Sequence, residues 1–280
     1  MTKINNEHLE QYAKEHYEQL KGKLKDFPKD CKYSLEEVIT AKPEKLDEIA
    51  EWGKDKDKVE DYKFIIKKYE NFTTKKKEYN AYNLAKKLNV NVCPYCNINS
   101  TYTVIKKDDK KITRPEFDHF YDKATNPILA LSFYNLIPSC HTCNSTLKGS
   151  EEFSMKSHLN PYSDNFDEVA KFSLKIKNSK FYHSLDGFEV KLETEDKRAK
   201  NNIKSFELDT LYQNHKDIVL ELLIKKAYYP QSYIEELSRF GFSQDEIYRY
   251  LFSNYNQDED LHKRPLSKLI KDISSELGLI

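Results

Sequence analysis

Two C-x2-C pairs, Cys93-Pro-Tyr-Cys96 and Cys140-His-Thr-Cys143, constrain this chain more than any other feature of its sequence. They use four of its five cysteines, and a pair of such knuckles presents four thiolates tetrahedrally to one Zn²⁺ without long-range strain. Cys93, Cys96, Cys140 and Cys143 are therefore the expected ligands of a structural zinc. The 43 residues between Cys96 and Cys140 far exceed the ~15–20 of an ordinary zinc ribbon, so a folded insert must lie between the knuckles. Clustered thiols suit a reducing compartment, and the lone Cys31 reads as a buried apolar residue.

The insert reads as a hairpin followed by a loop. Residues 100–105 (Ser-Thr-Tyr-Thr-Val-Ile) are β-branched and aromatic, 108–110 form a polar turn, and apolar alternation resumes from Ile112 through Phe117 to Phe120. Asp118 and His119 fall at the end of that second strand. From Asp122 to Pro138 two prolines predict an irregular connection, with room for a turn or two of helix over Ile128 to Tyr134. A short helix is expected over Cys140 to Leu147, ended by Gly149.

Asp118-His119, Asn135 and the segment Cys140-x-x-Cys143-Asn144-x-x-x-Lys148-Gly149 together resemble the motif of HNH endonucleases. The resemblance implies a ββα-metal core in which His119 is the general base, Asp118 and Asn144 hold one catalytic divalent ion, and Asn135 orients the His119 ring. The third motif position, commonly histidine, is here Asn144, a neutral oxygen ligand that favours Mg²⁺ or Mn²⁺ over zinc. A fainter resemblance covers the Asn160-Pro161-Tyr162 turn and Leu211-Tyr212…His215-Lys216-Asp217. It is similar to the HNH nucleases of Septu-type bacterial anti-phage systems, and so implies a DNA substrate and an ATPase partner.

The residues can be weighed without the family. Phosphodiester hydrolysis needs a deprotonated water, a cation on the non-bridging and leaving oxygens, and in-line geometry. A histidine held by one ring nitrogen can take the proton with the other, and His119 is expected to be partly exposed for that purpose. Adjacent strand residues point to opposite faces, so Asp118 and His119 can share a site only where the strand ends or twists. Asn135 is alternatively a cap before Pro138, and Asn144 a plain polar helix residue. Lys148 and His158 are further candidates: Lys148 would meet a phosphate or the helix's terminal carbonyls, and His158 would approach the metal or merely pin the Asn160-Pro161 turn. His141, inside a knuckle, reads as exposed.

The fold class expected is α+β and mainly helical, with the zinc-stapled core central. Residues 1–90 read as a helical region, with apolar spacing over 5 to 26, a capping box at Ser34-x-x-Glu37, a helix bracketed by Pro43 and Gly53, and further helices over 56 to 71 and 74 to 89. Residues 91–195 hold the core and an accessory hairpin, Phe172 to Ile176, Phe181 to Leu185 and Phe188 to Leu192, signalled by Asp186-Gly187. Residues 196–280 read as helices over 196 to 213, 215 to 228, 231 to 240, 243 to 254 and 261 to 278. No apolar run approaches the ~20 residues of a membrane span, and the opening residues lack a signal peptide's apolar stretch, so a cytoplasmic location is expected.

Forty-six basic residues balance forty-six acidic ones, which is unusual for a chain that grips nucleic acid alone. Residues 51–150 carry 18 basic against 12 acidic, an excess that the flanks cancel. Lys75-Lys76-Lys77 could touch phosphate, though a solvated helix start accounts for it more simply. A zinc-stabilised binding module without chemistry is the alternative to a nuclease, and nothing in the sequence separates DNA from RNA as substrate. With few phosphate contacts on offer, the isolated chain is expected to cut poorly until a partner brings DNA, docking on exposed aromatics such as Tyr228, Tyr229, Tyr233, Tyr248, Tyr250 and Tyr255. Titrating plasmid cleavage at ~0.15 M salt checks this; efficient cutting by nanomolar chain alone contradicts it.

Overall fold

A computed structural model describes residues 1–74, 78–229 and 231–279. Lys75-Lys76-Lys77, singled out above, lie outside the described residues. The chain is an α+β mix, about half helical, with three two-stranded sheets among the described residues. Helices α1 (Leu9–Lys21), α2 (Leu35–Thr40), α3 (Pro43–Gly53), α4 (Lys56–Thr73) and α5 (Ala81–Leu88) come first. Ser34 accepts from the Glu37 N–H while the Glu37 side chain accepts from the Ser34 N–H, satisfying two helix-end donors at once. Pro43 opens α3, where its missing N–H costs nothing. Cys31 is half-buried rather than buried.

The predicted first hairpin is divided. Strands β1 (Val104–Ile105) and β2 (Lys111–Thr113) pair with each other, whereas β3 (Glu116–His119) pairs antiparallel with β4 (Leu136–Ser139). Pro115 separates β2 from β3 and has no N–H for a ladder. The stretch Asp122 to Pro138, expected to be irregular, contains two 3₁₀ turns, Pro127–Leu129 and Phe133–Asn135, but its last three residues belong to β4. After β4, Thr142–Lys148 is a π-helical segment, and Gly149 ends it at φ 53°, a left-handed backbone that favours glycine.

In the accessory hairpin β5 (Ala170–Ile176) pairs with β6 (Phe188–Thr194), preceded by a single turn α6 (Phe166–Val169). The stretch Phe181 to Leu185 is not a strand. It folds into two 3₁₀ turns, Ser179–Tyr182 and Leu185–Gly187, an arrangement that only glycine permits at 187, where a Cβ would sit 2.5 Å from the Phe181 backbone. The helices that follow are α7 (Lys197–Ser205), α8 (Leu208–Gln213), α9 (Lys216–Tyr228), α10 (Gln231–Arg239), α11 (Gln244–Phe252) and α12 (Ser267–Glu276). The single helix expected over 196 to 213 breaks at Glu207, which adopts φ 47°. Tyr228 and Tyr250 are exposed, Tyr233 less so, and Tyr248 is buried. No helix among the described residues is long and apolar enough to cross a membrane.

One buried apolar cluster takes residues from all three stretches of the chain, including Leu20 and Leu46 early, Phe120 and Leu136 in the middle, and Tyr212 and Leu269 late. Two polar devices tie distant segments to it. Lys268, fully buried, places its ammonium 2.8 Å from Asp167 Oδ1 and 2.9 Å from Asp272 Oδ2, and Asp272 also accepts from the Phe172 N–H. A buried ammonium is tolerable only when paired in this way. His16 on α1 is equally buried: its Nε2–H donates to the Leu131 carbonyl at 2.9 Å, and Tyr79 Oη–H donates to its Nδ1 at 2.7 Å.

Burial pushes the His16 pKa down from its ordinary value of 6.5 to about 4, against the hydrogen bond to Leu131. The unfolded ring takes a proton below about 6.5 while the folded ring refuses it until about 4, so acid favours unfolding across that window. Stability contributed by neutral His16 is present above about pH 6.5 and falls by on the order of 3 kcal/mol by pH 4. His16→Phe is expected to be less stable at pH 7.5 but to lose less stability on acidification, as read by denaturant unfolding between pH 7.5 and 5.

Candidate metal centre and histidine site

The metal centre begins in two tight turns. In the first, the Asn97 N–H donates to the Cys93 carbonyl and the Cys93 N–H to the Asn99 carbonyl, with Asn97 at φ 53°, a backbone that asparagine tolerates better than most residues. In the second, the π-helical segment starts directly behind Cys140. The four sulfurs lie within 4.8 Å of one another and are buried. The Cys143 N–H and Asn99 Nδ2 both donate to Cys140 Sγ, and the Ile98 N–H to Cys96 Sγ, each at 3.4 Å. Donors aimed at sulfur suit thiolates, yet burial alone pushes the Cys93 thiol well up. A divalent cation reconciles the two, and all-sulfur tetrahedral donor sets suit Zn²⁺.

The knuckle is bonded to the rest of the molecule on both sides. Asn97 Oδ1 accepts from Ser267 Oγ and the Lys268 N–H, its Nδ2 donates to the Leu261 carbonyl, and the Leu266 N–H donates to its carbonyl, so α12 is docked on the turn. Tyr212 Oη donates to the Cys96 carbonyl at 2.6 Å while its ring packs on Phe172 of β5, which brings the accessory hairpin beside the metal centre as expected. Tyr95, stacked on Phe206, donates from Oη to Asp118 Oδ2 at 2.6 Å.

Asp118 and Lys148 form a buried pair. The Lys148 ammonium lies 2.9 Å from Asp118 Oδ1 and donates to the His119 carbonyl at 2.6 Å, with both side chains almost wholly buried. Both carboxylate oxygens of Asp118 thus have partners. Lys148 meets neither the helix's terminal carbonyls nor solvent.

His119 differs from expectation in exposure: the residue is 5% exposed rather than partly open. β3 and β4 stay in register through His119 and Leu136, so side chains alternate without a bulge. Asp118 faces the π-helical segment, while His119 faces α4, where Tyr69 meets its ring edge-on at 4.4 Å. Nε2–H donates to the Ala130 carbonyl at 3.0 Å, which fixes the tautomer and leaves Nδ1 as the basic atom. Burial, with Lys123 adding, lowers its pKa to about 3.

Asn135 does not bond the His119 ring. Fully buried, it accepts at Oδ1 from the Tyr121 N–H and donates from Nδ2 to the Tyr121 and Leu129 carbonyls. It therefore braces the 120–135 loop whose Ala130 carbonyl holds His119, acting on the ring through the backbone. Asn144 donates from Nδ2 to Glu116 Oε2 at 2.7 Å, so Asp118 and Asn144 are engaged with different partners. His158 stacks on Phe153 at 3.6 Å, and its Nε2–H donates to Ser205, whose own hydrogen goes to Glu151. Burial, reinforced by Lys148, lowers its pKa to about 4.

Glu116 and Tyr95 were not singled out by sequence, although a signal for each was there. Glu116 stands two residues before Asp118 on a strand and so shares its face, and Tyr95 lies inside the first knuckle. Glu116 accepts from His141 Nδ1–H, Asn144 and Ser145 at 2.7, 2.7 and 2.9 Å. Burial raises its pKa, but these three donors together hold it below the ordinary value. His141 is exposed, as expected.

No protein-family model matches the chain, nor does any curated protein or solved structure.

One zinc per chain is expected on elemental analysis of protein purified without chelator. Cys93→Ser should lower Tm by ~10 °C or more, because a structural zinc contributes folding free energy directly and ~1 kcal/mol moves Tm by ~2–4 °C in a chain of this size. Protein that is free of zinc yet equally stable contradicts the assignment.

Proposed function

We propose that the chain is a metal-dependent HNH endonuclease hydrolysing phosphodiester bonds of DNA, acting in the bacterial cytoplasm as the nuclease of an anti-phage complex with an ATPase subunit. The observation that carries this reading is the setting of Asp118 and His119. They stand on β3 of a strand-pair-and-helix unit whose helix supplies Asn144 and Lys148 and whose ends are tied by the four cysteines.

In this reading Asp118 and Asn144 hold a Mg²⁺ or Mn²⁺ ion, which when bound neutralises charge on the scissile phosphate. The Lys148 ammonium occupies the cationic position on Asp118, so for Asp118 to hold an ion Lys148 would have to turn from the carboxylate toward a phosphate. His119 Nδ1 accepts the proton of the attacking water while Nε2–H stays on the Ala130 carbonyl. Such access requires the site to open and the end of β3 to turn, because Asp118 now faces the π-helical segment and His119 faces α4, and opening removes the burial that depresses the ring's pKa, making it a stronger base. A closed resting site and a balanced net charge both suit a nuclease switched on by a partner.

A second reading is favoured by the buried Asp118–Lys148 pair and the closed His119: a zinc-stabilised nucleic-acid or protein-binding module without chemistry. Incubating micromolar chain with plasmid and with total RNA, in Mg²⁺, Mn²⁺ or EDTA, separates the two. Metal-dependent cutting is expected for the wild type. For His119→Ala a loss of about 100-fold or more is expected, with zinc content unchanged and Tm lowered by ~5–10 °C because a packed, buried ring is removed. Equal cutting by His119→Ala removes the base assignment. Binding without cutting under any metal, with an ATPase partner as well as without one, leaves the module.

A further inference from the structure

A cleft of about 420 Å³ lies between the end of α1, the turn after it and α4, within the ~300–1,000 Å³ of small-molecule sites. Its apolar lining includes Leu24, Phe72, Tyr79 and Leu131. Its charge comes from Lys23, Lys25 and Lys68 against one carboxylate, Asp26, which stands 3.7 Å from Lys68 and is largely exposed. Among the described residues neither Lys23 nor Lys25 makes an ion pair, and the Lys23 ammonium sits 5.8 Å from the Tyr79 ring centroid. Among the described residues three lysines and one carboxylate line the cleft, which suits a multiply charged anion rather than a single carboxylate, and the edges of Phe72 and Tyr79, 3% and 6% exposed, give an apolar strip for a flat ring joined to it. The volume admits one such unit, not a strand of nucleic acid.

The cleft also touches the segment that holds His119. Tyr79 and Leu131, both in its lining, are the two groups bonded to buried His16. Leu131 directly follows Ala130, whose carbonyl accepts from His119 Nε2–H. Leu131 is fully buried, so a ligand against Tyr79 acts on the backbone that orients the histidine through the Tyr79–His16–Leu131 hydrogen bonds.

We propose that the cleft between α1 and α4 is an effector site for a mononucleotide, its base against Phe72 and Tyr79 and its phosphates on Lys23, Lys25 and Lys68, coupled through Leu131 to the loop that holds His119. Binding and loop stiffening do not depend on the endonuclease reading; only their consequence for cutting does.

The test is calorimetric titration of the full chain with ATP, ADP, AMP, adenosine and tripolyphosphate at ~0.15 M salt, with hydrogen exchange on the 129–135 amides. Saturable binding of ATP or ADP is expected, with adenosine and tripolyphosphate each weaker by about tenfold or more, and slower exchange in that segment. Lys23→Glu and Lys68→Glu should each weaken ATP by about tenfold with unchanged circular dichroism, whereas Lys14→Glu, outside the cleft, should not. Tripolyphosphate binding as well as ATP reduces the cleft to a non-specific anion site and overturns the proposal. So does ATP binding that ignores both lysine variants, or no saturation at millimolar nucleotide. Nucleotide binding without altered exchange at 129–135 overturns the coupling. None of these readouts requires the chain to cut DNA.

Discussion

Four sulfurs buried within reach of one another are the constraint on which the middle of this molecule depends. Without a divalent ion they would be desolvated thiols drawn together with nothing to hold them; with one they become a covalent-strength junction between two segments separated by 43 residues. Much else is built onto that junction. Asn97 binds the start of α12, Tyr212 binds the Cys96 carbonyl, and Tyr95 reaches from between the first two cysteines to Asp118. The position of His119 thus depends on the sulfur cluster, since β3 lies between a knuckle-anchored tyrosine and a helix that starts at the second knuckle.

A second theme is how buried charge is neutralised. Lys268 lies between Asp167 and Asp272, and Lys148 beside Asp118 with Tyr95 on the other oxygen. Pairs of this kind add little net stability compared with apolar replacements, yet removing one member leaves an uncompensated charge, so they fix which segments lie together. The two differ in consequence. The Lys268 cluster joins α12 to α6 and β5, remote from the histidine, and reads as structural. The Asp118–Lys148 pair stands on the strand that carries His119, so any exchange of the ammonium for another cation changes the electrostatics beside the ring.

His16 and His119 show the same physics in parallel. Each is a neutral ring, buried, with Nε2–H on a backbone carbonyl, of Leu131 and Ala130 respectively. Two consecutive carbonyls thus hold two histidines from different parts of the chain, and Asn135 braces the same loop from within. The loop is irregular in the ladder sense but densely hydrogen-bonded, through Asp122, Asn135 and its own backbone turns, as buried irregular backbone must be.

The sequence by itself determined the cysteine cluster, the helical character of both flanks, the capping box at Ser34, the Pro43–Gly53 helix and the α+β class. These follow from local rules, where spacing, caps and periodicity act within a few residues. Tertiary structure decided what local rules cannot reach. Whether β3 pairs with the preceding strand or with β4 depends on partners far along the chain, and Leu136–Ser139 carries no alternation to announce it. The exposure of His119 was settled by α4, fifty residues earlier, through Tyr69. The sequence singled out Asp118 and Lys148 but not as a pair, because a buried ion pair is written in distance, and only the folded chain brings position 118 within 2.9 Å of position 148.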